Sequence, residues 1–142
     1  MKALLFAAAL ALAALALAAP AALAQAPAAP PAAEAQDPPY ANDLLRAFDL
    51  LVAGQPAEAL AIADQVLAGH PDELFARALR GLALLHLNRF AEARDEANRL
   101  LAADPDEPGS WVLRARARIG LNDLAGAVAD ATSALRRDPD NA

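Results

Sequence analysis

The stretch that decides the fold is Leu74–Glu107, LFARALRGLALLHLNRFAEARDEANRLLAADPDE, because its pattern occurs three times along the chain. Pro71, Pro105 and Pro139 stand 34 residues apart. Aligned on these prolines, residues 40–73, 74–107 and 108–141 form three units without a gap. An internal period of this length indicates an array of repeated helical units.

Recurring turn signals divide each unit into two helices. One column of the aligned units holds Gly54, Asn88 and Asn122, and these residue types best tolerate the left-handed backbone that ends a helix. The residue before each repeated proline avoids the α conformation, which ends the second helix. Apolar residues between these signals recur at three- and four-residue steps. The sequence therefore predicts an all-α fold with six helices, near residues 41–53, 57–69, 74–87, 90–103, 108–121 and 124–137.

Small side chains recur at one position in each first helix and at one position in each second helix. They would let the two helix backbones of a unit approach closely, with leucine and phenylalanine filling the remaining volume. A bulky residue at Gly81 or Ala93 is therefore expected to overpack the hairpin, at a cost of about 1–3 kcal/mol. The two columns are Ala47, Gly81 and Ala115, and Ala59, Ala93 and Ala127.

The composition excludes several classes of function. The 142 residues are 57% apolar and carry a net charge of −6, so the chain lacks the basic surface that nucleic-acid binding needs. Cysteine is absent, which excludes disulfides, thiolate zinc sites, thiol nucleophiles and a lipidated N-terminal cysteine. No hydroxyl residue stands at a recognisable spacing from a histidine, and His70 and His86 are not spaced as a helical ligand pair. We therefore expect no enzyme activity, no metal site, no cofactor and no nucleic-acid partner.

Residues 1–24 have the pattern of a secretory signal peptide. Lys2 gives a positive start, an uncharged run of alanine, leucine and phenylalanine follows, and Ala22-Leu23-Ala24 has the small residues that signal peptidase recognises. We expect cleavage after Ala24, and hence a periplasmic or secreted chain with no membrane contact. The alternative is an inner-membrane anchor formed by residues 3–24, although ten of the 17 residues in Ala3–Ala19 are alanine, which has little preference for lipid.

Residues 25–39 read as a linker. Five of the 15 residues are proline and six are alanine, with no bulky apolar side chain. Such a segment cannot recover the entropy lost on ordering, so we expect a disordered tether that is partly polyproline II. A proline-motif ligand for another domain is the alternative.

The three units resemble tetratricopeptide repeats (TPRs), and the resemblance covers residues 40–141. It implies a right-handed superhelical α-solenoid of three helix-turn-helix hairpins. Residues 40–73 depart most from the family, with Asp43 where Trp or Leu is preferred. The last unit matches best, through Trp111, Ala115, Leu121-Asn122-Asp123-Leu124, Ala127, Leu135 and Asp138-Pro139.

The resemblance also implies ion pairs within the units. Arg46, Arg80 and Arg114 precede the small residue of each first helix, where the family usually has Leu. A subclass with this arginine carries an acid in the middle of the second helix, which here implies the pairs Arg80–Glu96 and Arg114–Asp130. Ile62 takes the place of the acid in the first unit, so Arg46 would have no such partner. An exposed pair of this kind contributes about 0–1 kcal/mol.

Members of this family bind partners on the concave face, which the first helices line. The matching positions here are mostly apolar, which favours an apolar or amphipathic helix or strand as ligand. Only Arg116 matches the basic residues of the carboxylate-clamp members, so clamp activity is not expected. Each of these side chains has an alternative role in packing between repeats. The predicted groove residues are Leu44, Phe48, Leu51, Val52, Phe75, Ala78, Leu82, Leu85, His86, Val112, Arg116 and Ile119.

A second surface is predicted on the last helix. Repeat arrays usually finish with a polar capping helix, whereas this sequence stops one residue after the third unit. Leu124, Val128, Ala131 and Leu135 are therefore expected to lack cover and could pair with a second copy.

Two functions remain as expectations. The first is an exported scaffold or adaptor that binds a peptide or helix of a partner envelope protein in the apolar groove. The alternative is a structural protein that self-associates, as a homodimer or larger assembly, through its last helix. The alanine and arginine richness favours a bacterium with a GC-rich genome.

Overall fold

The computed structural model describes residues 38–139. The predicted signal peptide lies outside these residues, as does the predicted linker apart from Pro38 and Pro39. Within residues 38–139, no helix has both the length and the hydropathy needed to cross a bilayer. The fold of this part is an all-α solenoid of six helices, α1 Ala41–Val52, α2 Pro56–Gly69, α3 Leu74–His86, α4 Phe90–Ala103, α5 Pro108–Gly120 and α6 Leu124–Arg137. Each helix begins and ends within one residue of its predicted bounds.

The turn column closes each hairpin as predicted. Gly54, Asn88 and Asn122 have φ values of +75°, +58° and +62°. In the first hairpin the N–H of Gln55 donates to the carbonyl of Leu50 at 2.8 Å. The same six-to-one bond recurs after α3 and α5. These bonds satisfy carbonyl groups that the end of a helix would otherwise leave unpaired.

The helices stack in chain order, and the first helices also contact one another. Each helix packs against the next, α3 contacts α1, and α5 contacts α3. The small columns lie at the centre of the hairpins, where Ala47, Ala59 and Ala93 are fully buried. Leu79 and Leu84 fill the space beside them and are equally inaccessible. The first helices therefore form one continuous layer, which positions their side chains along a shared face.

Gly81 differs from the expectation about hairpin packing. A Cβ added at Gly81 would lie 2.6 Å from Leu113 Cδ2 and 3.5 Å from Glu96 Cβ. The tightest contact is therefore with α5 of the next unit, because the first helices pack side by side. Overpacking at Gly81 would strain the junction between units more than the hairpin itself.

Two carboxylates are buried between the helices of their units. The predicted pairs Arg80–Glu96 and Arg114–Asp130 form, the latter with 2.8 Å between Arg114 Nη2 and Asp130 Oδ1. Glu96 is only 1% exposed and Asp130 only 2%, so these are not the surface pairs that the sequence allowed for. Arg77 and Arg99 also contact Glu96, and Arg118 also contacts Asp130.

Polar contacts between units repeat with the same 34-residue spacing. Arg80 Nε donates to Asp64 Oδ1 at 2.6 Å, and Arg114 Nη1 donates to Asn98 Oδ1 at 2.9 Å. Arg77 donates to the carbonyl of Pro71, and the indole of Trp111 donates to the carbonyl of Pro105 at 2.8 Å. Both arginines thus tie their own unit to the preceding one. Arg46, the third member of this column, makes no salt bridge within residues 38–139.

The first unit is joined to the second by Tyr40. Its hydroxyl donates to Glu73 Oε2 at 2.8 Å, and its ring packs on His70 with 4.3 Å between centroids. This hydrogen bond, with smaller effects of burial and of the Glu73 charge, raises the pKa of Tyr40 above its ordinary value. The contact therefore contributes stability below the unfolded pKa of about 10 and loses it as the pH rises through the folded pKa.

We expect a Glu73→Gln variant to lower the pKa of Tyr40. Tyr40 is the only tyrosine of the chain, so alkaline titration of the tyrosinate absorbance at 295 nm reads this group alone. Glutamine keeps an oxygen that can cap α3, where Glu73 now accepts the N–H of Phe75, but it removes the charge. Circular dichroism over the same pH range checks that the helices persist. An unchanged midpoint in the variant would show that Glu73 does not govern the hydroxyl.

Candidate functional site

A groove of about 560 Å³ lies between α3 and α5. Phe75, Ala78 and Leu82 line it from α3, and Val112 and Arg116 line it from α5. They lie together because the first helices pack side by side, which aligns the same columns of successive units. Phe75 and Val112 are 47% and 43% exposed, so a large apolar area faces solvent here. Leu74, Leu100, Asp104, Glu107, Gly109, Ser110 and Leu113 complete the lining.

The groove carries opposite charges at two levels. Asp104 ends α4 and Glu107 begins α5, so both acids lie at the N-terminal end of α5. Each carboxylate also holds the local backbone, because Asp104 accepts the N–H of Asp106 and Glu107 accepts the N–H of Ser110. Arg116 follows Glu107 by nine residues, about 13 Å of helical rise. An apolar ligand in this groove would meet acids at one end and a guanidinium further along.

The predicted groove residues fall into three groups. Phe75, Ala78, Leu82, Val112 and Arg116 line the cavity together. Exposed or half-buried on the same helices, but outside this cavity, are Phe48, Leu51, Val52, His86 and Ile119.

Leu44 and Leu85 are corrections to the predicted groove. They are 5% and 6% exposed and belong to the core. Leu85 is covered because α3 has first helices on both sides, whereas Ile119, its counterpart in α5, is 59% exposed. Leu44 is a larger side chain than its counterpart Ala78 and packs into the core. A shared column fixes the direction of a side chain along the helix, and the neighbouring helices decide its depth.

Sequence reasoning missed the acidic end of the groove. The predicted set came from the first helices alone, whereas Leu100 and Asp104 come from α4 and Glu107 from the turn after it. The run Asp104-Pro105-Asp106-Glu107 was the available signal. It marks where the end of a second helix meets the start of the next first helix.

A second cavity, of about 520 Å³, lies between α5 and α6. Val112, Arg116 and Ile119 line it from α5, and Ala131 and Leu135 line it from α6. All four residues predicted to lack cover are exposed, with Leu124 at 59%, Val128 at 67% and Leu135 at 45%. This exposure agrees with the expectation for the last helix and leaves self-association itself a prediction.

Comparison with known proteins identifies the repeat. Residues 44–108 match the sequence model of the family described as tetratricopeptide repeat. No curated protein sequence matches the chain. The NMR structure of the first TPR domain of the human RPAP3 protein is similar to this fold, with a TM-score of 0.65 and 22% sequence identity. The likeness covers 68% of this chain and 76% of that one.

Two structures of MamA from Desulfovibrio magneticus RS-1 are also similar. The fragment from residue 41 to the end has a TM-score of 0.64, and the ArsTM double mutant has a TM-score of 0.63, both at 23% identity. In each case 68% of this chain matches 55% of that chain. At this level of identity the likeness concerns the fold alone.

Proposed function

Because residues 44–108 belong to the tetratricopeptide repeat family, whose fold is that of a protein-interaction scaffold, we propose that this chain binds a segment of a partner protein in the groove between α3 and α5. The observation that carries the proposal is the apolar groove of about 560 Å³, whose lining includes Phe75, Leu82 and Val112. A cavity of this size accepts bulky apolar side chains of an inserted helix or strand.

The charges of the groove favour an amphipathic ligand. Asp104 and Glu107 would pair with a basic side chain near one end of the ligand, and Arg116 would pair with an acidic side chain further along. Such rim charges contribute more to the choice and orientation of a partner than to affinity. A C-terminal carboxylate is a poorer candidate, since Arg116 is the only basic residue that lines the groove.

We further propose that the scaffold works in the cell envelope. Support comes from the sequence pattern of residues 1–24, with its positive start and Ala22-Leu23-Ala24. The mass of the protein recovered from cells tests this proposal. A chain that begins at Gln25 supports export, whereas an intact N-terminus in the cytoplasmic fraction contradicts it.

We expect a Phe75→Glu variant to weaken binding of an amphipathic helix at least tenfold, about 1.4 kcal/mol. Two labelled peptides with the same leucine face serve as probes, one with lysine and one with glutamate beside that face. Fluorescence anisotropy with the full chain should give tighter binding for the lysine peptide. Phe75 is 47% exposed, so the substitution places the new charge in the groove without disturbing the core.

The control for this experiment is Leu45→Glu, which introduces the same charge at a site that is 59% exposed and lies outside the groove. It should bind both peptides like the unaltered protein. Equal loss of binding in Phe75→Glu and Leu45→Glu would sink the groove proposal. So would equal affinity for the lysine and glutamate peptides at low salt, as far as the charge preference is concerned.

A further inference from the structure

The outer face of α6, formed by Leu124, Val128, Ala131 and Leu135, has two internal counterparts. The same columns of α2 and α4 are covered, with Leu60 at 9% exposure, Leu101 at 8%, and Ala63 and Ala97 at zero. On α6, Val128 is 67% exposed. The repeats themselves therefore show what these columns pack against.

First helices cover these columns, since α3 packs on α2 and α5 packs on α4. They do so with a small residue, a leucine and a second small residue, which are Ala76, Leu79 and Ala83 in α3. Leu45 of α1 belongs to the column of Leu79, yet it is 59% exposed, whereas Ala47 inside its own hairpin is fully buried. This side of a first helix thus serves contact with a preceding second helix. The corresponding residues of α5 are Ser110, Leu113 and Ala117, all buried.

Two hydrogen bonds accompany each covered junction. The residue after the first small one donates to a proline carbonyl, from Arg77 to Pro71 and from Trp111 to Pro105. The arginine after the leucine donates to the preceding second helix, as Arg114 does to Asn98. By the 34-residue spacing, the matching acceptors of the third unit are the carbonyl of Pro139 and the hydroxyl of Thr132.

We propose that the outer face of α6 binds a helix of a different protein, one that runs antiparallel to α6 and carries the pattern small-(Arg/Trp)-x-Leu-Arg-small-x-small. That pattern is shared by residues 76–83 and 110–117, the two segments that cover the equivalent faces. The cavity of about 520 Å³ between α5 and α6 receives the leucine and the small residues. This surface is separate from the groove between α3 and α5 and does not depend on the function proposed there.

A second copy of the chain is a poor occupant of this face. Its α1 offers Leu45, Arg46 and Ala47 in the correct places, but two acids depart from the pattern. Asp43 would present an acceptor to the carbonyl of Pro139, where Arg77 and Trp111 present donors. Asp49 would bury a carboxylate where Ala83 and Ala117 are fully inaccessible, and an unpaired buried charge is strongly unfavourable. These two acids therefore oppose head-to-tail assembly.

The first test uses peptides copied from the chain. Labelled, end-capped peptides of residues 74–87 and 40–53 are titrated with the full chain and followed by fluorescence anisotropy. We expect the peptide of residues 74–87 to bind, and the peptide of residues 40–53 to bind at least tenfold more weakly. Val128→Glu in the protein should weaken the first peptide at least tenfold, whereas Ala91→Glu, an exposed site on α4, should not. Binding that Val128→Glu leaves unchanged would overturn the proposal.

The second test needs no peptide and guards against short peptides that fail to become helical. Replacing both acids, Asp43→Arg with Asp49→Ala, should turn α1 into an acceptable occupant. We expect the full-length double variant to assemble head to tail, with a light-scattering mass that rises with concentration. Adding Val128→Glu should return it to the mass of the unaltered protein.

Three results would contradict the proposed occupant. One is a double variant that does not assemble, together with a peptide of residues 74–87 that does not bind. Another is an assembly that persists in the presence of Val128→Glu. The third is an unaltered chain that already associates through a contact abolished by Val128→Glu, which would make a second copy the occupant.

Discussion

Replacing Glu96 by alanine is expected to lower the free energy of unfolding by about 3 kcal/mol, the lower end of the range for breaking a buried ion pair. Glu96 is 1% exposed and contacts three arginines, Arg77, Arg80 and Arg99. Without the carboxylate, three guanidinium groups face one another across the hairpin. They are 16%, 27% and 58% exposed, so they regain part of their hydration, which keeps the loss from being larger. Urea unfolding followed by circular dichroism measures the effect.

Asp95→Ala is the matched control for Glu96→Ala. Asp95 is the adjacent residue of α4 and pairs with Arg94, but its side chain is 54% exposed. Removing an exposed pair changes stability by about 0–1 kcal/mol. A Glu96→Gln variant, which keeps the volume and one acceptor, should fall between the two. If Glu96→Ala loses no more stability than Asp95→Ala, the buried cluster does not stabilise the fold.

Leu79→Ala is expected to destabilise the protein by about 2–5 kcal/mol, the range for a leucine removed from a packed core. Leu79 is 1% exposed and lies where α3 covers α2. A small array has a total stability of about 5–15 kcal/mol, so this one change can remove a large part of it. Urea unfolding gives the difference directly, and an unchanged slope of the transition would show that the cooperative unit is preserved.

The chain provides an internal control for Leu79→Ala. Leu45 occupies the same column of the first unit but is 59% exposed. Leu45→Ala should therefore change stability by no more than about 0.5 kcal/mol, as for other surface positions. Equal losses at the two sites would mean that α1 is covered in solution, which the described residues do not show.

Most of the fold could be predicted because it rests on local signals repeated three times. The left-handed column Gly54, Asn88 and Asn122 and the proline ruler fix the ends of the helices. Apolar steps of three and four fix their faces. The pairs Arg80–Glu96 and Arg114–Asp130 came from the family resemblance, and the structure confirms both.

What sequence reasoning missed depends on contacts between units. Arg77 and Arg99 lie three residues from Arg80 and Glu96, so a helical wheel could have added them to the cluster. The burial of Leu85 and the contact of Gly81 with Leu113 could not be read in the same way. Both follow from how closely α3 and α5 approach, a distance that no single unit contains.

The inter-unit bonds from Arg80 and Arg114 also bear on how such a gene can change in length. Each bond joins columns that recur with the 34-residue period, so removing one whole unit would bring Arg114 to Asp64 where it now meets Asn98. A deletion or duplication of any other length would shift every downstream column against its partner. Because each unit touches only its neighbours, inheritance can add or remove whole units here at little structural cost. Length is thus a quantised trait of this molecule.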